Sequence, residues 1–307
     1  MENMAVGRFA PSPTGRMHLG NVFSALLSWL SVKSKGGQWL LRIEDIDPVR
    51  SRQEYVQLLM DDLCWLGLEW DGELVYQSQR SDIYTHYYNI LCERGLTYPC
   101  YCTRADLLAT QAPHESDGRV VYAGTCRHRP PQPGQAAATR LIVPDKKVTF
   151  TDGHYGEQHV NLAQQVGDFI IRRKDGAWAY QLAVVIDDAL MGITEVVRGR
   201  DLLLSTPQQL YVAQLLGFPE PRFFHLPLLL GDSGERLSKR DRSLDMEALR
   251  QQHTASEIIG LLACVAGLQP EPQPVRPADL LDSFTWDAVP CGDIPFYSSY
   301  IRSISLR

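Results

Sequence analysis

The sequence has no long apolar run. Nothing in its 307 residues approaches the roughly 20 consecutive apolar residues that a membrane helix needs. Met1 is not followed by the charged-then-apolar pattern of a signal peptide. A cytoplasmic protein without a membrane partner is therefore expected. Excess basic charge is lacking too: Lys and Arg number 30 against 36 Asp and Glu, a net charge of −6. That excludes a protein coated in basic surface but not a local patch for nucleic acid. There is no G-x-G-x-x-G and no P-loop, so two common glycine fingerprints for nucleotide phosphates are missing. There is no internal repeat. Cysteine is sparse and odd in number, at seven. Cys100, Cys102 and Cys126 cluster while the rest scatter, which in a cytosolic protein favours metal over disulfides.

What is present is globular: 44% hydrophobic and 21% charged residues, in a chain long enough for one large or two to three modest domains. Val6 to Ala10 reads as a strand. Pro11, Pro13 and Gly15 make a tight turn, and Val22 to Lys33 reads as a helix apolar nearly all round. His18 sits at that helix mouth, where free N–H groups and the dipole favour an anion. Gly20 leaves room for a close approach. Gln38 to Ile43 fits a buried strand, completing a βαβ unit and hence a parallel sheet.

Glu44-Asp45-Ile46-Asp47 follows that strand, where ligands gather in open α/β sheets. Three carboxylates there suit an ammonium, a ribose or a metal, and Glu44 is the first off the strand. Ser51 to Glu54 reads as a capping box for a helix to Leu66. A further helix runs from Ser81 to Arg94, whose Tyr84, Tyr87 and Tyr88 read as packing. The character changes at Tyr98, and short polar stretches run to about Gln165. Phe169 to Arg173, a Lys174-Asp175-Gly176 turn and Trp178 to Ile186 read as a hairpin. Ile193 to Val197 reads as a strand ending at Arg198, and Thr206-Pro207 as a cap and first turn of a helix to Leu216. Helical segments follow around Met246 to Gln251 and Glu257 to Ala266.

Cys100-x-Cys102 with Cys126 suits tetrahedral zinc, which needs a fourth ligand. His114, Tyr122 and His128 are all near in sequence, and composition by itself favours a histidine.

Two stretches read together carry a family resemblance. His18-Leu19-Gly20-Asn21 resembles the HIGH signature of class I aminoacyl-tRNA synthetases. Arg236-Leu237-Ser238-Lys239-Arg240 resembles their KMSKS signature. Arg8-Phe9-Ala10-Pro11-Ser12-Pro13-Thr14-Gly15 resembles the glutamyl subgroup. Asn21 departs from the first signature, where a second histidine stands in other members. The resemblance implies an α/β fold: a Rossmann-type parallel sheet with a zinc-containing insertion and a small helical C-terminal region. The corresponding domains are 1–97 and 167–235 for the two halves of the catalytic unit, 98–166 for the insertion, and 236–307 for the KMSKS-like loop and helical end.

The resemblance also implies roles. A bound glutamate has two carboxylates and one ammonium, so its site needs two cationic forks and an anion. Arg8, Ala10, Ser12, Glu44, Tyr180 and Arg198 match the glutamate positions of the family. His18, Gly20 and Lys239 match its ATP positions, with Mg²⁺ accompanying ATP and with His18 and Lys239 as the catalytic pair. Tyr122 completes the family's zinc set with Cys100, Cys102 and Cys126. Sixty-seven residues follow Arg240, too few for the anticodon-binding region of a full glutamyl enzyme. The short glutamyl-Q branch is the better match. Its activity is ATP-dependent activation of L-glutamate, with no tRNA needed, and transfer to queuosine in the anticodon of tRNA(Asp). A monomer is expected. The alternatives are a truncated glutamyl-tRNA synthetase charging a tRNA 3′ end and a non-catalytic RNA-binding relative.

Overall fold

The apolar segment after His18 decides the architecture. In the computed structural model, which describes residues 4–103, 105–106, 121–237, 244–296 and 300, it forms α1 (Leu19–Lys33). Leu19, Val22, Leu26, Leu27 and Leu30 are wholly buried. A helix apolar all round has to be covered on every side. Beneath it β1 (Val6–Phe9) pairs in parallel with β2 (Gln38–Ile43), Arg8 lying opposite Leu40.

The chain continues as α2 (Gln53–Leu66), β3 (Val75–Tyr76), α3 (Ser81–Glu93), β4 (Thr97–Cys100), β5 (Ala138–Leu141), β6 (Lys147–Asp152) and β7 (Gly156–Asn161). Then come α4 (Leu162–Gln165), β8 (Phe169–Arg172), α5 (Tyr180–Leu190), β9 (Glu195–Gly199), α6 (Thr206–Leu216), β10 (Arg222–Leu226), β11 (Leu229–Leu230), α7 (Met246–Gln252), α8 (Ala255–Val265) and β12 (Ile294–Pro295). Seven strands form the main sheet in the order β3-β2-β1-β9-β10-β6-β7. Every neighbouring pair is parallel except β6 with β7. The chain builds outward from β1 to β3, then returns through β9 on β1's other side. The strand order thus reverses between β1 and β9, and the crevice outside their carboxyl ends is where such sheets hold ligands.

The parallel α/β architecture expected from the sequence is the one found. Residues 147–161, from the stretch assigned to the insertion, form a hairpin that extends the main sheet through β6. The antiparallel β4-β5-β8 sheet stands apart and carries Cys100. Among the described residues no helix is long and apolar enough to cross a membrane.

Three local expectations fail. The segment Trp178 to Ile186 is not the second strand of a hairpin. After a single bridge between Arg172 and Trp178 it becomes α5, buried from Leu182 to Asp188. A short apolar run does not separate buried strand from buried helix. The capping box at Ser51 does not form. Arg52 is held extended by its N–H bond to the Pro13 carbonyl, α2 opens at Gln53, and the buried Ser51 hydroxyl has no partner among the described residues. Thr206 is the first helical residue of α6 rather than its cap, and its hydroxyl is spent on Arg198. The tyrosines of α3 do pack as expected: Tyr84 is fully buried and its hydroxyl donates to Asp187 at 2.8 Å.

Candidate active site

Arg8 and Arg198 end adjacent strands at the reversal point, one on β1 and one on β9. Both are buried, which requires partners. Arg8 donates through Nε to Asp188 at 3.1 Å. Its two terminal nitrogens have no hydrogen-bond partner among the described residues, so they are open to a carboxylate. Asp188 also accepts from Arg42 Nη1 at 2.6 Å, and Arg42 Nη2 reaches Glu44 at 3.2 Å. Burial drives the Asp188 carboxyl up, but Arg42 and Arg8 outweigh it and hold the group below the ordinary range. Glu44 has the opposite balance: burial dominates the pull of Arg42 and Arg8, and its carboxyl is raised. Two carboxylates share these arginines, and Glu44 is the one left wanting a further cation.

Arg198 is fully occupied. Nε donates to His225 Nε2 at 3.1 Å. Nη1 donates to Gln209 Oε1 at 2.7 Å and to the Tyr180 hydroxyl at 3.3 Å. Nη2 donates to Thr206 Oγ1 at 2.8 Å and to the Leu202 carbonyl at 3.4 Å. Because Tyr180 accepts from Arg198, its own O–H is the donor that this pair turns toward the crevice. Beside it lies a cleft of about 500 Å³ lined by Ser12, Glu44, Asp47, Arg173, Trp178 and Tyr180. Ala10 follows β1 on the same side and is half-buried. The other acidic residues after β2 are taken: Asp45 caps Ser78 through N–H and hydroxyl bonds, and Asp47 pairs with Arg173 at 3.3 Å.

The nucleotide signatures converge on a second cavity. His18 is the N-cap of α1. Its Nδ1 accepts from the Gly20 N–H at 3.1 Å, so the neutral ring carries its proton on Nε2. Asn21 closes the cap by accepting the His18 N–H at 3.1 Å. That gives the departure from the family signature a local purpose. A cavity of about 90 Å³ is bounded by His18, Gly20, Gly199, Leu228, Arg236 and Leu237. The first signature thus faces the start of the second across the end of β9. Arg236 is paired with Asp201. Lys239, the catalytic cation expected from the sequence, lies outside the described residues, as does His114.

The cysteine cluster forms as expected. The thiols of Cys100, Cys102 and Cys126 lie within 4.8 Å of one another, with Cys102 and Cys126 at 3.5 Å. The Tyr122 hydroxyl is 3.5 Å from Cys100 and 3.8 Å from Cys102. Tetrahedral zinc with Zn–S of about 2.3 Å needs thiolates about 3.7 Å apart, so the three sulfurs and the phenol oxygen fit such an ion. Burial raises the Cys126 thiol, but hydrogen bonds from Tyr122, the Tyr101 backbone and its sister cysteines bring it down to about 7. The Arg140 guanidinium lies over the Tyr122 ring at 3.7 Å. His128 is not part of the cluster.

A family model described as tRNA synthetases class I (E and Q), catalytic domain, matches residues 4–274. The chain is 45% identical to the glutamyl-Q tRNA(Asp) synthetase of Nitratidesulfovibrio vulgaris over 305 residues, covering 94% of each chain. The chain belongs to the glutamyl-Q branch of the class I tRNA synthetases. It is also 44% identical to the glutamyl-Q tRNA(Asp) synthetase of a Neisseria meningitidis serogroup C strain, over 91% of this chain and 94% of the other. A solved glutamate tRNA ligase from Elizabethkingia meningosepticum, in complex with its amino acid, superposes with a TM-score of 0.83 at 26% identity, covering 98% of this chain and 69% of that one.

Within this family site, several residues carried no sequence signal strong enough to be singled out. Asp188 and Arg42 are the buried charges that tie Arg8 to Glu44, and Asp152 and His225 stand behind Arg198. The available hints were an acidic pair, Asp187-Asp188, inside an apolar run, and a lone histidine between Phe224 and Leu226.

Proposed function

We propose that this chain activates L-glutamate with ATP and transfers it to the queuosine base in the anticodon of tRNA(Asp). The observation that supports the proposal is a pair of buried arginines, Arg8 and Arg198, on neighbouring strands at the sheet's reversal point, with Glu44 tied to Arg8 through Arg42 and Asp188, in a chain whose 45%-identical relative bears the glutamyl-Q tRNA(Asp) synthetase name.

Arg8 offers its two terminal nitrogens to one substrate carboxylate. The Tyr180 O–H, backed by Arg198, offers a hydrogen bond to the other. Glu44 takes the ammonium, which relieves the burial that raises its carboxyl. Ser12 and Ala10 wall the entrance. Activation joins an oxygen of the α-carboxylate to the α-phosphorus of ATP in line with the departing pyrophosphate. Such a step runs on positioning and charge stabilisation. His18 Nε2–H and Lys239 are the phosphate donors in this reading, and Gly20 lets the nucleotide approach the helix mouth. Magnesium enters with ATP and offsets triphosphate charge. A hydroxyl of the acceptor base then attacks the activated carbonyl, and AMP leaves. Cys100, Cys102, Tyr122 and Cys126 would hold one structural zinc ion, which supplies rigidity to the β4 end of the small sheet.

The test is glutamate-dependent ATP–pyrophosphate exchange without RNA. Exchange is expected with glutamate alone. Its absence at every magnesium concentration overturns the activation step.

A further inference from the structure

Three neighbouring strands each deliver one buried polar side chain: Asp152 from β6, His225 from β10 and Arg198 from β9. Arg198 and His225 are direct register partners. They are 1, 0 and 6% exposed respectively. An arginine N–H always donates, so His225 Nε2 must accept from Arg198 Nε. The Thr206 hydroxyl lies 3.3 Å from the same nitrogen and can be a second donor. The proton of the neutral ring is therefore on Nδ1, which lies 2.6 Å from Asp152 Oδ2. The other Asp152 oxygen accepts three backbone N–H groups, from His154 at 3.0 Å, Tyr155 at 2.9 Å and His225 at 3.3 Å. An ionised carboxylate is the one side chain that can accept on both sides here.

We propose that Asp152 is a positioning residue for Arg198, acting through the tautomer of His225. The proposal rests on Arg198 belonging to the glutamate site. It gives the β6–β7 hairpin a purpose, since joining the main sheet is what brings this carboxylate behind the strand that ends in Arg198. The consequence is sharp for an isosteric change. In Asp152→Asn the amide oxygen is held by the three backbone donors, and the amide nitrogen must face His225 Nδ1. Two donors cannot face each other, so the ring proton moves to Nε2. That N–H then points at Arg198 Nε–H, and the guanidinium loses its seat. Tyr180, which accepts from the same guanidinium, moves with it.

The experiment uses the full-length protein. Long-range proton–nitrogen NMR of the imidazoles reads the His225 tautomer, and calorimetry reads glutamate and ATP affinities separately. The expected result is Nδ1–H in the wild type and Nε2–H in Asp152→Asn. Glutamate affinity should fall about tenfold or more while ATP affinity holds. His225→Gln supplies the second arm. A carboxamide there can turn its oxygen to Arg198 without instruction from residue 152, so Asp152→Asn should cost no further glutamate affinity in that background. An unchanged tautomer in Asp152→Asn overturns the proposal. So does a loss of glutamate and ATP affinity together, or a loss equal in both backgrounds, which is what a merely structural Asp152 would give. A wild type that binds no glutamate at all also overturns it, by removing the reading of Arg198. That case is recognised by a tautomer that still switches.

Discussion

Arg42 and Asp188 meet at 2.6 Å with the arginine fully buried and the aspartate 8% exposed. Arg42 continues to Glu44, and Asp188 continues to Arg8, so the two residues proposed to face substrate are each held by one half of the pair.

Breaking this pair should destabilise the whole fold. Removing one partner leaves an uncompensated buried charge, which costs about 3–5 kcal/mol. Arg42→Met is expected to lose that much in urea unfolding. A loss under about 1 kcal/mol would mean that water or a neighbouring group compensates.

Gly20→Ala separates binding from folding. A Cβ there meets the His18 ring at 3.0–3.1 Å, so the imidazole has to shift from its place at the helix mouth. The expected result is a weakened ATP affinity with glutamate affinity retained and with stability changed by less than about 1 kcal/mol. Unchanged ATP affinity would place the nucleotide away from the α1 N-terminus.

The sulfur cluster should contain one zinc ion per chain by elemental analysis. Cys126→Ala should abolish it, and Tyr122→Phe, which removes only the oxygen, should weaken it. Chelation should loosen the β4-β5-β8 sheet, because Tyr98, Tyr101 and Tyr122 pack against the same cysteines. Metal-free protein as isolated, or full metal content in Cys126→Ala, contradicts the assignment.

Acid should weaken both stability and glutamate binding through His225. Burial and the Arg198 charge hold its protonation below the ordinary 6.5, against the pull of Asp152; Asp201 also lies within range. The unfolded chain therefore takes up a proton near pH 6.5 that the folded chain refuses. Stability is full above that point and declines below it, until the folded ring also protonates. Glutamate affinity should fall only at the lower end of that window, where the folded ring itself protonates and a second N–H would face Arg198. The part due to His225 is the part that His225→Gln removes. An acid dependence identical in that variant would assign the effect to Glu44 instead.

Legibility in the sequence followed distance along the chain. The βαβ start, the Gln38–Ile43 strand and the last two helices were readable because their signals are local. Arg8 stood out within a recognisable signature, and Glu44 and Arg198 stood out at the ends of expected strands, which the fold does place there. Asp188 and Arg42 did not, since their partnership spans 146 residues and leaves no mark on either neighbourhood. Asp152 was hidden further, because the hairpin that carries it looked like insertion rather than sheet. The Trp178–Ile186 segment misled for a different reason. Its apolar residues are buried on every side, which erases the periodicity that tells a helix from a strand.

The most direct test of the account offers labelled glutamate and ATP to three RNAs: queuosine-containing tRNA(Asp), the same tRNA without queuosine, and tRNA(Glu). Label is expected on the first alone, and it should survive enzymatic removal of the 3′-terminal adenosine before the reaction. Label on tRNA(Glu), abolished by that treatment and absent from queuosine tRNA(Asp), would contradict the account and assign the chain to ordinary 3′-end charging.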